Sequence, residues 1–224
     1  MSVCIEMANV HNLILRGLNA IYLQAPYVSK AQDVADFMLY VHAWADMVHH
    51  HHSVEEAIFF PRAEELAREA GLPESLMKSN FDQHHEFEPK MAEMARWADR
   101  VREGKEEYKS EFLVGMIDRF APILKQHLHE EIDTLIMLEK CDGEEVKKVM
   151  KLTADAGQKN ADPNLVIPLA LGCVDRRYTG SENFPPVPFF VPWLNAYWFA
   201  RKHQGCWRFN PCDHWGKPRP LQFL

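Results

Sequence analysis

The sequence lacks the features that would direct it to a membrane, a nucleic acid or a disulfide-stabilised fold. No apolar run approaches the roughly 20 residues of a transmembrane helix. The net charge of −7 argues against nucleic acid and against an anionic membrane surface as partners. The five cysteines are odd in number and widely scattered, so a disulfide framework is not expected. Because residues 1–7 also lack the basic start and apolar block of a secretory signal, we expect a cytoplasmic location.

The chain does contain enough apolar residues for a core, together with an excess of histidine. Hydrophobic residues make up 47% of its 224 positions, which is sufficient for a domain of ordinary size. Ten of the twelve histidines lie before residue 130. Four of them are consecutive, at 49–52, inside a helical pattern and far from either end, so we interpret them as native sequence rather than a tag.

Amphipathic patterns predict four long helices joined by short connections. Apolar residues recur every three or four positions, which is typical of helices that face a core on one side. The predicted helices cover residues 4–24, 29–70, 74–103 and 106–140. We therefore predict an all-α fold, an up-down-up-down four-helix bundle over residues 1–142.

Two of these helices carry a histidine followed four residues later by a glutamate. The pairs are His51 with Glu55 and His127 with Glu131, and this spacing places both side chains on one helix face. Each pair fills a gap in an apolar stripe and therefore points into the core. Burying an unpaired carboxylate costs several kcal/mol, and a metal ion between the pairs is the simplest compensation.

The second helix also offers a competing pair, His52 with Glu56, rotated by about 100° from the first. Its face is nearly as apolar, so the choice between His51 with Glu55 and this pair stays open, with a preference for the former.

The first and third helices each add one histidine to the inner side of the bundle. His11 lies within the apolar face of the first helix. The predicted stripe of the third helix is Met77, Phe81, His84, Phe87, Met91, Met94 and Ala98. Glu88, at the edge of this stripe, is either a solvated carboxylate or a further ligand. A set of imidazoles and carboxylates without thiolate suits iron, manganese or zinc better than copper(I) or calcium.

These motifs resemble the hemerythrin-like, or HHE cation-binding, family over about residues 5–140. The resemblance rests on His11 and on the segments 51–61, 83–87 and 127–131. It implies a bundle around a non-haem centre of two iron ions (Fe2+/Fe3+), with manganese or zinc as alternatives. The metal ligands it implies are His11, His51, Glu55, His84, His127 and Glu131, with Glu55 bridging and Glu88 as a further candidate.

One position departs from the oxygen-carrying members of this family, which have two histidines four residues apart on the third helix. Here Asn80 stands four residues before His84, which either leaves a coordination position open or lets Glu88 coordinate. A more open and carboxylate-rich site favours O2 activation over reversible binding. We therefore expect a di-iron oxidase or oxygenase acting on a small apolar or aromatic substrate, with no catalytic side chain beyond the ligands. The alternative is a non-enzymatic protein that carries, stores or senses O2, NO or iron.

The C-terminal region, residues 143–224, has a different composition, with most of the prolines and many aromatic residues. We predict a short helix at 144–156, then an irregular extension with one helix near 193–203, packed on the bundle. It resembles the tails of long fungal members of the family, and three roles stay open: a cap on the bundle, a lid over a substrate pocket, or a subunit contact. Cys206, Cys212 and His214 are spaced loosely like zinc ligands, but structural cysteines are favoured.

Overall fold

A computed structural model describes residues 3–159 and 161–224 of the protein. Within these residues the chain forms helices and no strand, which confirms the all-α prediction. The four long helices are α1 (Val3–Gln24), α2 (Ala31–Val54), α4 (Lys78–Arg102) and α5 (Ser110–Met137). The shorter ones are α3 (Phe60–Glu69), α6 (Gly143–Gly157), α7 (Pro163–Cys173) and α8 (Val191–Tyr197).

The four long helices form a closed ring around one core. Helix α1 packs against α2 and α5, and α4 packs against the same two helices from the other side. Trp44 lies at the centre of this core. Its ring stacks on Phe120 of α5, with centroids 6.2 Å apart, and its indole N–H donates to the carbonyl of Ile14 at 3.0 Å. The indole thus satisfies its polar atom while it joins three helices.

The second predicted helix is interrupted by a π-helical turn, Glu55–Phe59, between α2 and α3. The N–H of Phe60 donates to the carbonyl of Glu55, five residues earlier. Pro61 follows at once, and in a regular helix its ring would collide with the carbonyl four residues back. The wider turn accommodates the proline, so the helical path continues from α2 into α3 without a break.

Helix α4 buries an asparagine where the sequence pattern predicted a phenylalanine. Phe81 is 43% exposed, whereas Asn80 is completely buried. The prediction for Phe81 was wrong because it followed apolar character alone. Asn80 fits the helical spacing equally well, since it lies three residues after Met77 and four before His84.

The extension contains a helix, α7, that the sequence analysis missed because of Pro168 in its interior. Its start nevertheless follows ordinary rules. The carboxylate of Asp162 accepts a hydrogen bond from the N–H of Asn164 at 2.9 Å, and Pro163 occupies the first turn. The helix predicted near 193–203 is shorter and ends at Tyr197.

The extension packs along the outside of α1 and α2. Phe209 is completely buried, and its ring centroid lies 4.7 Å from that of Phe37 and 6.1 Å from that of Tyr40. The Arg16 guanidinium donates to the carbonyl of Cys173 and to the carboxylate of Asp175, both at 2.9 Å. These contacts make the extension a cap on the bundle.

We expect Phe209→Ala to lower the free energy of unfolding by about 3–5 kcal/mol, because it leaves a cavity beneath the cap. Phe189→Ala is the matched control, since Phe189 lies in the same extension and is 88% exposed. Its effect should stay within about 0.5 kcal/mol. Denaturant unfolding measures both, and equal values would contradict the role of the cap.

The cysteines are all free thiols, and Cys206 and Cys212 are buried. The thiol of Cys212 accepts from the Arg16 guanidinium at 3.2 Å and donates to the carbonyl of Val174 at 3.2 Å. In the described ranges, neither these cysteines nor His214 belong to a cluster of potential metal ligands. No helix in the same ranges is both long and apolar enough to cross a membrane.

Candidate metal centre

Seven side chains from the bundle converge at one level of its interior. They are His11 from α1, His51 and His52 from α2, Glu55 from the π turn, His84 from α4, and His127 and Glu131 from α5. All are buried except His51, which keeps a small exposed fraction. Six of the seven predicted ligands lie here, and His52 takes the place of Glu88.

The contribution of α2 follows from helix geometry. At about 100° per residue, Glu55 projects about 40° from His51 and about 60° from His52, on the side between them. One face therefore presents two imidazoles with a carboxylate in the middle. The pairs His51 with Glu55 and His52 with Glu56 are therefore not alternatives. Both histidines and Glu55 point into the bundle, and Glu56 points outward.

The first group of potential ligands is His52, Glu55, His84 and His127, with one donor atom of each within 4.8 Å of the others. The Nε2 atoms of His84 and His127 lie 3.0 Å apart. Two nitrogen ligands held about 2.1 Å from one metal ion lie at a similar separation.

The other ring nitrogen of each of these two imidazoles, Nδ1, forms a hydrogen bond with a side chain on the outer side of the site. The Nδ1 atom of His84 donates to the carboxylate of Glu56 at 2.8 Å, and that of His127 donates to the side-chain oxygen of Gln83 at 3.2 Å. With Nδ1 protonated, both Nε2 atoms carry lone pairs that face each other. A shared cation removes this repulsion.

The second group comprises His11, His51 and Glu55. Glu131 joins it, because its Oε2 atom lies 3.0 Å from Nε2 of His11. The same oxygen lies 3.7 Å from Nε2 of His127, which belongs to the first group. Glu55 is common to both groups, and Glu131 approaches histidines of both, so the two carboxylates stand between two sets of imidazoles.

Outward hydrogen bonds also orient His11 and His52. Nδ1 of His11 donates to the carbonyl of Leu128 at 2.8 Å, and Nδ1 of His52 donates to the carboxylate of Glu88 at 3.2 Å. Such partners fix the ring and the tautomer of a metal-binding histidine and increase its basicity. Both Nε2 atoms are left facing inward.

Burial keeps the imidazoles in the form that binds metal. It is the largest cause that lowers the pKa of His51, His84 and His127 to about 3, so the rings are neutral at physiological pH. Burial also raises the pKa of Glu55 well above its usual range, and the neighbouring Glu131 adds to this shift. A cation beside Glu55 would reverse the effect and hold the carboxylate ionised.

The donor atoms fit a pair of cations. The inward Nε2 atoms of His11, His51 and His52 and all four carboxylate oxygens of Glu55 and Glu131 are buried without a hydrogen-bond partner in the described part of the chain. Buried polar atoms are rarely left unpaired, and here they all face one space. Nitrogen and oxygen donors in these numbers suit first-row divalent metals.

Glu88 stands behind His52 rather than among the converging atoms. One of its oxygens accepts from His52, and the other accepts from Nδ1 of His49 at 2.6 Å. His52 instead supplies a third imidazole beside His84 and His127. Asn80 stands where a second histidine on α4 would be expected, and His52 of α2 supplies an additional imidazole instead. The sequence alone did not predict this replacement from another helix. The sequence does contain a signal for this outcome: on a helical projection of α2, His51 and His52 lie on either side of Glu55, so both can face the bundle interior.

A helical bundle whose inner faces bring histidines and carboxylates into two adjoining groups defines a cation-binding protein. Residues 6–138 match the family model described as the hemerythrin HHE cation-binding domain, and the chain belongs to this family. It is 38% identical over 220 residues to the dimeric xanthone biosynthesis cluster protein R11 of Cryptosporiopsis sp. (strain 8999), across 98% of this chain and 82% of that protein. No solved structure matches the chain.

Proposed function

We propose that this protein is a non-haem di-iron oxidase or oxygenase that uses O2 to oxidise a small aromatic or apolar molecule. The observation that carries the proposal is the arrangement of two histidine groups around Glu55 and Glu131. When bound, two iron ions supply the electrons and the coordination sites for reducing O2.

The residues of the chain hold this centre and set its charge. His52, His84 and His127 form one set of neutral ligands, and His11 and His51 form the other. The carboxylates of Glu55 and Glu131 stand between the two sets, and they would serve as ligands and offset the charge of the metals. We propose iron rather than zinc, because zinc has no redox chemistry whereas iron passes between Fe2+ and Fe3+ with nitrogen and carboxylate ligands.

The similarity to a protein named for a xanthone biosynthesis cluster supports the aromatic substrate class. The similarity covers nearly the whole chain, the extension included, which agrees with a role in the chemistry of an aromatic molecule. The apolar surroundings of the centre agree with this, since Phe60 stacks on His84 at 5.4 Å and Phe87 lies 5.0 Å from His52.

A non-enzymatic role in binding O2, NO or iron is the second candidate, and the position of the extension favours it. Phe37, which carries the cap, lies fifteen residues before His52, or about 22 Å along the helix. In the described part of the chain, no hydrogen bond joins the converging side chains to residues 161–224. The extension thus reaches α1 near His11, where Asn9 donates to the carbonyl of Gly180 at 3.3 Å, but it gives the converging side chains no hydrogen-bond partner, as a protein that only binds a small ligand allows.

O2 uptake by the iron-loaded protein distinguishes the two functions. With excess reductant and an aromatic substrate such as a xanthone, an oxygenase consumes O2 continuously and forms oxidised product. A carrier takes up about one O2 per metal pair and releases it under vacuum. The variant Glu131→Ala is the matched control and should lose continuous uptake. Saturating, reversible uptake by the unaltered protein with every substrate would reject the enzymatic proposal.

A further inference from the structure

The side chain of Asn80 is buried in a way that the fold alone does not explain. It is completely inaccessible, and both its amide nitrogen and its amide oxygen lack a hydrogen-bond partner among residues 3–159 and 161–224. A buried amide without partners is unfavourable by an amount comparable to a lost hydrogen bond or more. The neighbouring Phe81, which could have filled the space with apolar atoms, points outward instead.

The position of Asn80 relates it to the metal centre. It lies one turn before His84 on the same face of α4, so its side chain is adjacent to that imidazole. The antiparallel register of α4 and α5 is set by Gln83 with Glu130 and by Glu93 with Arg119. This register places Asn80 level with the turn of α5 that begins at Glu131.

The other side of Asn80 is apolar. Met77, the residue just before α4 and three positions before Asn80, belongs to a second buried apolar cluster. The members of this cluster are Met7, Phe59, Phe60, Ala63, Ala67, Met77, Leu135 and Leu138. Asn80 is therefore a polar group at the boundary between the converging ligands and an apolar region that offers no hydrogen-bond partner.

We infer that the amide of Asn80 binds and positions a small exogenous ligand of the metal pair. Its NH2 group donates to, and its oxygen accepts from, a small oxygen- or nitrogen-donor molecule or anion that enters between the metals and the apolar cluster. Asn80 is a positioning residue in this role and does not itself coordinate a metal. The inference rests on the proposed metal pair but does not depend on turnover.

Azide binding to the diferric protein tests the inference, with iron content and unfolding measured in parallel. In Asn80→Leu we expect iron content to be unchanged and azide affinity, followed by its charge-transfer absorption, to fall about ten- to hundredfold. We also expect no loss of folding stability, because the variant removes a buried amide without partners. A residue needed only for packing would not produce this combination.

Two further variants complete the experiment. Asn80→Ser keeps one hydroxyl donor and acceptor and should show an intermediate azide affinity, which also guards against a folding defect in Asn80→Leu. Phe81→Ala, at the exposed neighbouring position, should bind azide as the unaltered protein does.

Unchanged azide affinity in both Asn80 variants would overturn the inference, and so would a fall in iron content, which would make Asn80 a metal ligand. An unaltered protein that binds no iron pair would refute the metal centre and this inference together. Weakened azide binding in a protein without substrate turnover would leave the inference intact and remove only the enzymatic function.

Discussion

Glu55→Ala should reduce the iron content of the purified protein from about two ions per chain to fewer than about one. Glu55 is the one side chain common to both ligand groups among the described residues. Its removal would take a carboxylate from both groups and would also take away half of the buried negative charge that offsets bound cations. The loss should therefore exceed that of any single histidine variant, and metal analysis by mass spectrometry measures it.

The matched control for this prediction is Glu65→Ala, ten residues further along the same helical segment. Glu65 is half exposed, and among residues 3–159 and 161–224 its one salt bridge is with Arg62, at 3.0 Å. An exposed pair of this kind contributes little to stability, so this variant should keep its iron. If Glu55→Ala retained two ions, the carboxylate would not bridge the groups and the centre as described would be refuted.

His52→Ala should lower the iron content by about one ion per chain, because it removes an imidazole from one ligand group only. The prediction separates this structure from the ligand set favoured on sequence grounds, in which His51 is a ligand and His52 is not. Under that set, His52→Ala would leave the iron content unchanged.

A second substitution makes the test of His52 sharper. Asn80 lies one turn before His84. By resemblance to the oxygen-carrying members of the family, a histidine is expected at this position. If His52 replaces that ligand from another helix, the double variant His52→Ala/Asn80→His should recover part of the lost iron. The single variant Asn80→His controls for a general effect of an added histidine. The comparison is with the double variant His51→Ala/Asn80→His. If iron is recovered with His52→Ala but not with His51→Ala, the added histidine replaces a ligand of the first group.

The helical architecture could be predicted from the sequence because four amphipathic stripes leave few alternatives for burying them. The helix boundaries shifted by a few residues, as at Lys78, where α4 begins four residues after the predicted start. The missed helix α7 shows a limit of local rules. Pro168 argues against a helix locally, yet the packing of Leu169 and Cys173 into the core of the bundle outweighs the lost hydrogen bond.

The candidate site was accessible to sequence reasoning only as far as each helix could be treated alone. Spacing places His11, His84, His127 and Glu131 on inner faces, and the structure brings them together. The positions of His52 and Glu88 depend on how α2 and α4 are rotated against each other, which no single periodicity contains. The sequence identifies Asn80 as a position without the expected histidine, but it does not predict its burial, because a pattern of apolar residues cannot indicate a buried polar side chain.

The π turn has a consequence for how the bundle can vary. Restoring regular α-helical geometry through Glu55–Phe59, with no residue removed, would rotate α3 relative to α2 by the rotation of one residue, roughly 100°. Phe60 and Ala63 would then leave the apolar cluster at the lower end of the bundle, while His51 and His52, which precede the turn, would keep their directions. The π turn thus sets the rotation of α3 relative to α2. The packing of α3 can therefore vary while α2 keeps the directions of its metal-binding histidines.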